Sequence, residues 1–157
     1  ALRAVDILAS RGAWTEAEHL ARTIRENAGA GLDAAAELRL LKAESRIALG
    51  RGSGDEAIAV LERILEKNPL DGEALLLAGD YYAKTGDTQK AEFRYDAAAK
   101  LPAHEPDALV KHAQLLIQSQ SYPQAIELLR KAQRIKPRDN VQRYLEKVEQ
   151  VATRSRS

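Results

Sequence analysis

The chain of 157 residues contains no cysteine. It therefore cannot form disulfides, use a thiolate as a nucleophile or bind a metal through cysteine. This absence leaves localisation open, because a cysteine-free chain suits both the cytoplasm and the periplasm. No apolar run approaches the ~20 residues of a transmembrane helix, so we expect a soluble chain with no membrane insertion.

Aromatic residues are also scarce, at 4% of the chain, and the net charge is only +1 with 30% charged residues. So few rings do not suit a β-sandwich or a platform on which nucleic-acid bases stack. Interspersed charges of both signs are typical of a solvated surface and do not favour duplex DNA. A slight basic excess near the C-terminus, which includes Arg154 and Arg156, is better explained by a solvated terminal helix. We expect no nucleic-acid partner.

The chemistry-bearing side chains form no recognisable constellation. His19, His104 and His112 have no metal-ligand spacing, and His112 is expected to pack between helices. Residues 50–54 alternate glycine with other residues, but they lack the Lys-Ser/Thr ending of a phosphate-binding loop and follow no strand. Acidic side chains follow solvated helix faces rather than converging as a pair. The sequence predicts no catalytic residues, no metal and no cofactor.

One spacing recurs through the chain. Ala91 lies 34 residues after Ala57, and Ala125 lies 34 residues after Ala91. This period indicates an array of helix–turn–helix units that pack on their neighbours. A small side chain at this position lets two helices approach closely. Pro69 and Pro137 each follow their alanine by 12 residues and are expected to end a helix.

The third unit carries the most complete pattern. Its first helix has Leu75, Ala78, Gly79 and Tyr82, and its second has Ala91, Tyr95 and Ala98. This resembles the tetratricopeptide pattern W-x2-L-G-x2-Y…A-x3-F…P, with Leu75 at the Trp position and Ala78 at the Leu position. Gly79 is small enough for Tyr95 to fill the space beside it. The resemblance implies an all-α fold, a right-handed α-solenoid of antiparallel helix pairs.

Turn and cap residues predict where helices begin. Gly86 suits a left-handed turn and Asp87 an N-cap, while Ser53 and Glu56 fit a capping box. Ser121 is expected to cap in the same way. The interval from Ala17 to Ala57 is six residues longer than the period, and this surplus is assigned to a loop at residues 26–33. Asp33 would then cap a longer helix that runs through Leu49.

We therefore expect one array over residues 1–157. Its parts are a truncated first repeat with its loop at residues 1–31, repeats at 32–71, 72–105 and 106–138, and a capping helix at 139–155. The last segment has an apolar stripe formed by Val141, Tyr144, Leu145, Val148 and Val151. One apolar side and one charged side suit a helix that closes the end of an array.

The resemblance implies that the first helices line a concave face that binds a peptide or helix of a partner protein. It places on that face Arg39, Lys42, Arg46, Leu49, Leu76, Leu77, Asp80, Val110, Lys111, Gln114 and Ile117. Leu76 and Leu77 fit partner contact and packing between repeats equally well. The chain departs from the carboxylate clamp of chaperone-binding members. Lys42 and Lys111 match its basic positions, but Arg46 and Leu77 stand where the clamp has Asn. Asp107 stands where it has Lys, so capture of a chaperone tail is not expected.

Two other functions stay open beside a non-catalytic scaffold. The chain could be a structural spacer or self-association module, because its truncated first repeat leaves an apolar edge near Ala4, Val5 and Leu8. It could also be an accessory domain of an enzyme encoded outside this fragment. The fragment itself is predicted not to be an enzyme.

Overall fold

The computed structural model describes residues 1–29 and 31–155, and these residues form nine α-helices and no strand. The predicted all-α class is confirmed. The basic residue Arg156 lies outside the described residues. The chain divides into two compact units, Ala1–Pro69 and Leu70–Ser157.

The first unit contains four helices. These are α1 (Leu2–Ser10), α2 (Trp14–Ala28), α3 (Ala34–Arg51) and α4 (Gly54–Lys67). Helix α3 packs on the other three, and α1 also packs on α2. Val5, Ala21, Leu40 and Ile47 belong to the core between α1, α2 and α3. The ring of Trp14 lies beside Gly50, where an added Cβ would come within 2.7 Å of the ring.

The connection before α3 is shorter than the sequence predicted. Helix α2 continues through Ala28, so the assignment of residues 26–28 to a loop is wrong. Asp33 caps α3 as predicted, because its Oδ1 accepts a hydrogen bond from the Ala36 amide at 2.7 Å. Part of the surplus length therefore extends α2, and Ala30 of the predicted loop lies outside the described residues.

The second unit contains five helices. These are α5 (Gly72–Thr85), α6 (Thr88–Ala99), α7 (Glu105–Gln118), α8 (Tyr122–Ile135) and α9 (Asp139–Arg154). Each packs on the next along the chain, and α5 also contacts α7. Ala91, Tyr95 and Leu115 form one core cluster. Ala113, Leu129 and residues of α9 form another.

The recurring alanines occupy equivalent places, as predicted. Each is the fourth residue of a second helix and is buried: Ala17 in α2, Ala57 in α4, Ala91 in α6 and Ala125 in α8. The shared position explains why a small side chain recurs there. A larger one would push apart the helices that pack around it.

The predicted proline stops are also confirmed. Asn68 and Lys136, which precede Pro69 and Pro137, have nearly the same backbone conformation, φ −138° and ψ 87° against φ −143° and ψ 93°. Proline disfavours the helical conformation in the residue before it, so α4 and α8 end in the same way.

The caps follow the sequence only in part. Gly86 has φ 84° as its turn requires, and Asp87 accepts a hydrogen bond from the Lys90 amide at 3.2 Å. Ser53 and Ser121 occupy N-cap positions, but neither side chain makes a cap hydrogen bond, so the capping predictions there are wrong. Their ψ angles of 50° and 56° depart from the extended backbone from which a short hydroxyl reaches the first-turn amides.

Helix α9 is one-sided, as expected of a capping helix. It packs on α8 through Val141, Leu145, Val148 and Ala152. The predicted stripe is wrong at its last member, because Val151 is exposed and Ala152 takes the buried position. The remaining surface of α9 is mainly polar and charged.

Candidate functional site

An ion pair joins the first helices α5 and α7 in the second unit. The Lys111 ammonium donates to both carboxylate oxygens of Asp80, at 2.8 and 2.7 Å. The Tyr95 hydroxyl of α6 donates to Asp80 Oδ1 at 2.8 Å. Three helices are thus connected at one carboxylate, and the sequence predicted two of these three residues for the binding face.

Tyr95 is placed by its neighbour on α5. The ring is 3% exposed and lies beside Gly79, where an added Cβ would come within 2.5 Å of a ring carbon. The sequence prediction that Gly79 makes room for Tyr95 is confirmed. Burial, followed by the charge and hydrogen bond of Asp80, raises the pKa of the Tyr95 hydroxyl well above its ordinary value. The hydroxyl therefore remains a proton donor to Asp80 at neutral pH.

A shallow pocket of about 290 Å³ opens beside this ion pair. Its walls are formed by Asp80, Ala83, Lys84, Tyr95, Lys111, Gln114, Leu115 and Gln118. Asp80, Lys111 and Gln114 were predicted site residues. Gln114 and Gln118 are exposed, and each amide can donate and accept hydrogen bonds. The pocket can therefore meet the backbone groups of a peptide as well as polar side chains.

The other predicted residues of this unit are less accessible. Leu77 is only 7% exposed, so it is buried and contributes little to the accessible face. Leu76 packs against the cluster that contains Tyr95 and Leu115. Val110 and Ile117 pack against the cluster of α7, α8 and α9. Their partly exposed surfaces leave only a limited apolar contribution to this face.

In the first unit, the predicted basic residues meet an acid that sequence analysis missed. Asp6 of α1 pairs with Arg39 at 2.6 Å and with Arg46 at 3.5 Å. Lys42 and Leu49 on the same helix α3 are half-buried. The positive charges of Arg39 and Arg46 are therefore partly neutralised.

A regular spacing could have revealed these pairs. Asp6 precedes Arg39 by 33 residues, Asp80 precedes Lys111 by 31, and Asp107 precedes Arg138 by 31. Each separation is slightly shorter than the 34-residue period of the alanines. In each pair the acid lies on one first helix and the base lies on, or directly before, the helix two elements later, so the pattern can be sought in sequence.

The predicted apolar edge at the N-terminus is smaller than expected. Val5 is fully buried in the core of the first unit, so its assignment to an open edge is wrong. Leu8 is partly buried against the same core. Ala4 is exposed, and Ile7, which was not singled out, is 51% exposed.

His112 packs against α6, as expected for a histidine between helices. Its Nδ1 lies 3.1 Å from Asp96 Oδ1 and its Nε2 lies 3.3 Å from Glu92 Oε1. Among residues 1–29 and 31–155, no group of three or more acidic or histidine side chains has a geometry suited to a metal. Within the same residues, no helix is both long enough and apolar enough to cross a bilayer.

Comparison with known families agrees with this architecture. The family model described as tetratricopeptide repeat matches residues 42–103 and, overlapping them, 78–140. No curated protein matches the chain. Repeats of this type generally mediate protein–protein interaction and are generally non-catalytic. Since the two matches together span more than half of the 157 residues, the chain belongs to the tetratricopeptide repeat family.

Proposed function

We propose that this chain is a non-catalytic scaffold that binds a peptide or helix of a partner protein along its first helices. The observation that carries the proposal is the polar pocket of α5, α6 and α7, where the bridged pair Asp80–Lys111 lies beside the exposed amides of Gln114 and Gln118.

The pocket offers groups that are already held in place. Lys111 is fixed by Asp80, and Asp80 is fixed in turn by the buried Tyr95 hydroxyl. A partner that binds here orders few side chains of the scaffold, and this lowers the entropic cost of association. Gln114 and Gln118 can pair with backbone amides and carbonyls, which every peptide possesses.

The charges also define the kind of partner. The Lys111 ammonium already has a carboxylate in Asp80, so a second carboxylate would compete with an internal bond. Asp107 is held by Arg138 at 2.7 Å. Because Lys111 and Asp107 already have partners of opposite charge, the proposed ligand is an internal segment of a partner protein rather than its C-terminal carboxylate. In the first unit, Arg39, Lys42, Arg46 and Leu49 remain proposed contacts on α3.

Site-specific crosslinking tests the proposal. A photoreactive phenylalanine analogue is placed at Gln114, at Gln118 and, as a matched control, at Gln124, an exposed glutamine of α8. The full chain is then irradiated in extract of its source cells. We expect the same protein to be crosslinked from positions 114 and 118 and not from 124. Equal products from all three positions, or none, would contradict the proposal.

Self-association through α1 is the second candidate, and the exposed pair Ala4 and Ile7 favours it. Sedimentation velocity over a range of concentrations should then show a dimer that Ile7→Lys abolishes. A wild-type chain that stays monomeric at every concentration would exclude this candidate.

A further inference from the structure

A second pocket lies inside the first unit, where α2, α3 and the start of α4 meet. Its volume is about 410 Å³, which is enough to receive a ligand group. Its floor is apolar and contains Ala21, Ile47 and Ala48, and charged side chains form its rim. Helix α4 contributes only its N-cap and first turn. The pocket thus lies at the opposite end of α4 from Pro69, where the unit ends.

The space in this pocket results from one small residue. Ala48 is followed one period later by Tyr82 in α5 and two periods later by Leu116 in α7. Both larger side chains pack against buried clusters of the second unit. Leu116 does so among α6, α7 and α8, which correspond to α2, α3 and α4. The same three-helix setting is therefore filled in one unit and left open beside Ala48 in the other.

The other small residue of the floor does not leave a space of its own. When Ala17 is aligned with Ala91, Ala21 corresponds to Tyr95 and Val5 corresponds to Gly79. The large Tyr95 lies beside the small Gly79, whereas Val5 and Ala21 reverse these sizes in one core cluster. The reversal keeps the helix pair filled, so the open volume is assigned to Ala48.

An aromatic ring shows which group fits at this position. In α5 the Lys90 ammonium lies 5.1 Å from the centroid of the Tyr82 ring. One period before Lys90 stands Glu56, which lines the pocket. The first unit thus lacks the ring and has a carboxylate in place of the cation. A carboxylate can accept a hydrogen bond from the O–H or N–H at the edge of a ring.

The remaining charges of the rim favour a neutral ring. Arg51 pairs with Glu18, and Arg22 lies 3.7 Å from the same side chain, so two exposed guanidinium groups share one carboxylate. Within residues 1–29 and 31–155, Glu56 forms no ion pair. A guanidinium attracts the face of an aromatic ring. An acidic group would meet Glu18 and Glu56, and a basic group would meet the arginines.

We propose that this pocket is a docking site for one tyrosine or tryptophan side chain in a segment of a partner protein. The ring lies on Ile47 and Ala48, in the place that Tyr82 fills in α5. A guanidinium of the rim covers one face of the ring, and the O–H or N–H donates to Glu56. This site is separate from the pocket beside Asp80 and does not depend on it.

Selection from a displayed peptide library tests the proposal on the full chain. Peptides are selected on the wild type and counter-selected on Ala48→Leu, which fills the pocket with the side chain that α7 has at this position. We expect the enriched peptides to share one Tyr or Trp. Failure to enrich any peptide that distinguishes the two chains, or enrichment of aliphatic residues instead, would overturn the proposal.

Binding of one enriched peptide is then measured by fluorescence anisotropy. Ala48→Leu should weaken binding about tenfold or more, and leucine in place of the aromatic residue of the peptide should weaken it about tenfold. Ala59→Leu, at an exposed alanine of α4, is the matched control and should bind like wild type. A thermal unfolding midpoint of Ala48→Leu at or above that of wild type shows that the loss is not unfolding.

Glu56→Ala tests the hydrogen bond without changing the floor. Because Glu56 is exposed, this variant keeps the fold even if Ala48→Leu does not. It should weaken binding of the Tyr or Trp peptide about tenfold and leave binding of the same peptide with Phe unchanged. Glu127→Ala, at an exposed acid of α8, is the control and should bind both peptides like wild type. Equal losses for the two peptides on Glu56→Ala would refute the assigned role of Glu56.

Other occupants give different results. Free indole at micromolar concentration should not displace the peptide, and displacement would identify a small-molecule site. Phe93 is 66% exposed, so a second copy could supply a ring. A dimer that both Phe93→Ala and Ala48→Leu dissolve would identify that occupant, and either result would overturn the proposal. Gln114→Ala should leave peptide affinity unchanged, so failure here is separable from failure of the pocket beside Asp80.

Discussion

Lys111 on α7 reaches across to Asp80 on α5 and donates to both of its carboxylate oxygens, at 2.8 and 2.7 Å. Both side chains are about one-third exposed. Solvent therefore screens the pair, and its contribution to folding is expected to be modest. Tyr95 is the buried partner of the same carboxylate. A substitution of Asp80 that removes the acceptor of Tyr95 should therefore cost more stability than one that removes only the charge.

Substitution of Asp80 separates these two contributions. Asp80→Asn removes the charge but keeps an oxygen that can accept from Tyr95, so we expect a loss of about 1 kcal/mol in the free energy of unfolding. Asp80→Ala also leaves the buried hydroxyl without its acceptor and should cost about 2 kcal/mol. Urea unfolding followed by circular dichroism measures both. Equal losses would show that the Tyr95 hydrogen bond contributes nothing.

Alkaline pH should destabilise the chain through Tyr95. In the unfolded chain a tyrosine ionises near pH ~10, whereas burial and Asp80 raise the pKa in the folded chain. Between these two values the unfolded state releases a proton that the folded state retains. The free energy of unfolding then falls by about 1.4 kcal/mol per pH unit.

The variant Tyr95→Phe isolates this effect. At neutral pH it should be less stable than wild type by about 1 kcal/mol, because one hydrogen bond is lost. Above pH ~10 the difference should shrink, since phenylalanine has no proton to lose. A difference that stays constant up to the highest pH measured would contradict the assigned cause.

Gly79→Ala should destabilise the chain although alanine favours helices. Helix propensity alone would stabilise by up to about 1 kcal/mol. The new methyl group, however, would come within 2.5 Å of the Tyr95 ring, and overpacking of this kind costs about 1–3 kcal/mol. Thermal unfolding decides the sign. In a second variant, Gly79→Ala is combined with Tyr95→Leu. The smaller side chain at position 95 should then recover part of the lost stability.

Arg25 tests the network that joins α2 to α3. Its guanidinium donates to both oxygens of Glu44, at 2.9 and 2.7 Å, and to Glu37 at 3.0 Å, contacts that raise its pKa. A lysine cannot keep this fork, so Arg25→Lys should cost about 1 kcal/mol after allowance for its partial exposure. Arg22→Lys is the matched control, because Arg22 makes only a 3.7 Å contact with Glu18. Equal effects of the two substitutions in urea would show that the fork adds nothing.

The sequence predicted the features that recur at a fixed period or that depend on adjacent residues. Ala57, Ala91 and Ala125 located the second helices because close helix packing requires a small residue at one fixed depth. Pro69 and Pro137 located helix ends because proline acts on the residue directly before it. Because these effects involve adjacent residues or a strict period, they can be recognised in a single sequence.

The sequence could not supply the orientation of individual side chains. Ser53 matched a capping pattern, but its hydroxyl makes no cap hydrogen bond at the backbone angles found there. Asp6 was missed because its interval of 33 residues to Arg39 differs from the 34-residue period of the alanines. Leu77 is apolar, as a contact residue could be, but its side chain is buried. Whether a leucine faces a partner or a neighbouring helix depends on small rotations that composition does not encode.

The equal depth of Ala91 in α6 and Ala125 in α8 also bears on how such a gene can evolve. Duplicating one period at this register would give the new helix pair the same packing surfaces as the old one, so no core side chain would need to change. Recombination can therefore lengthen the protein by whole helix pairs while most intermediates still fold.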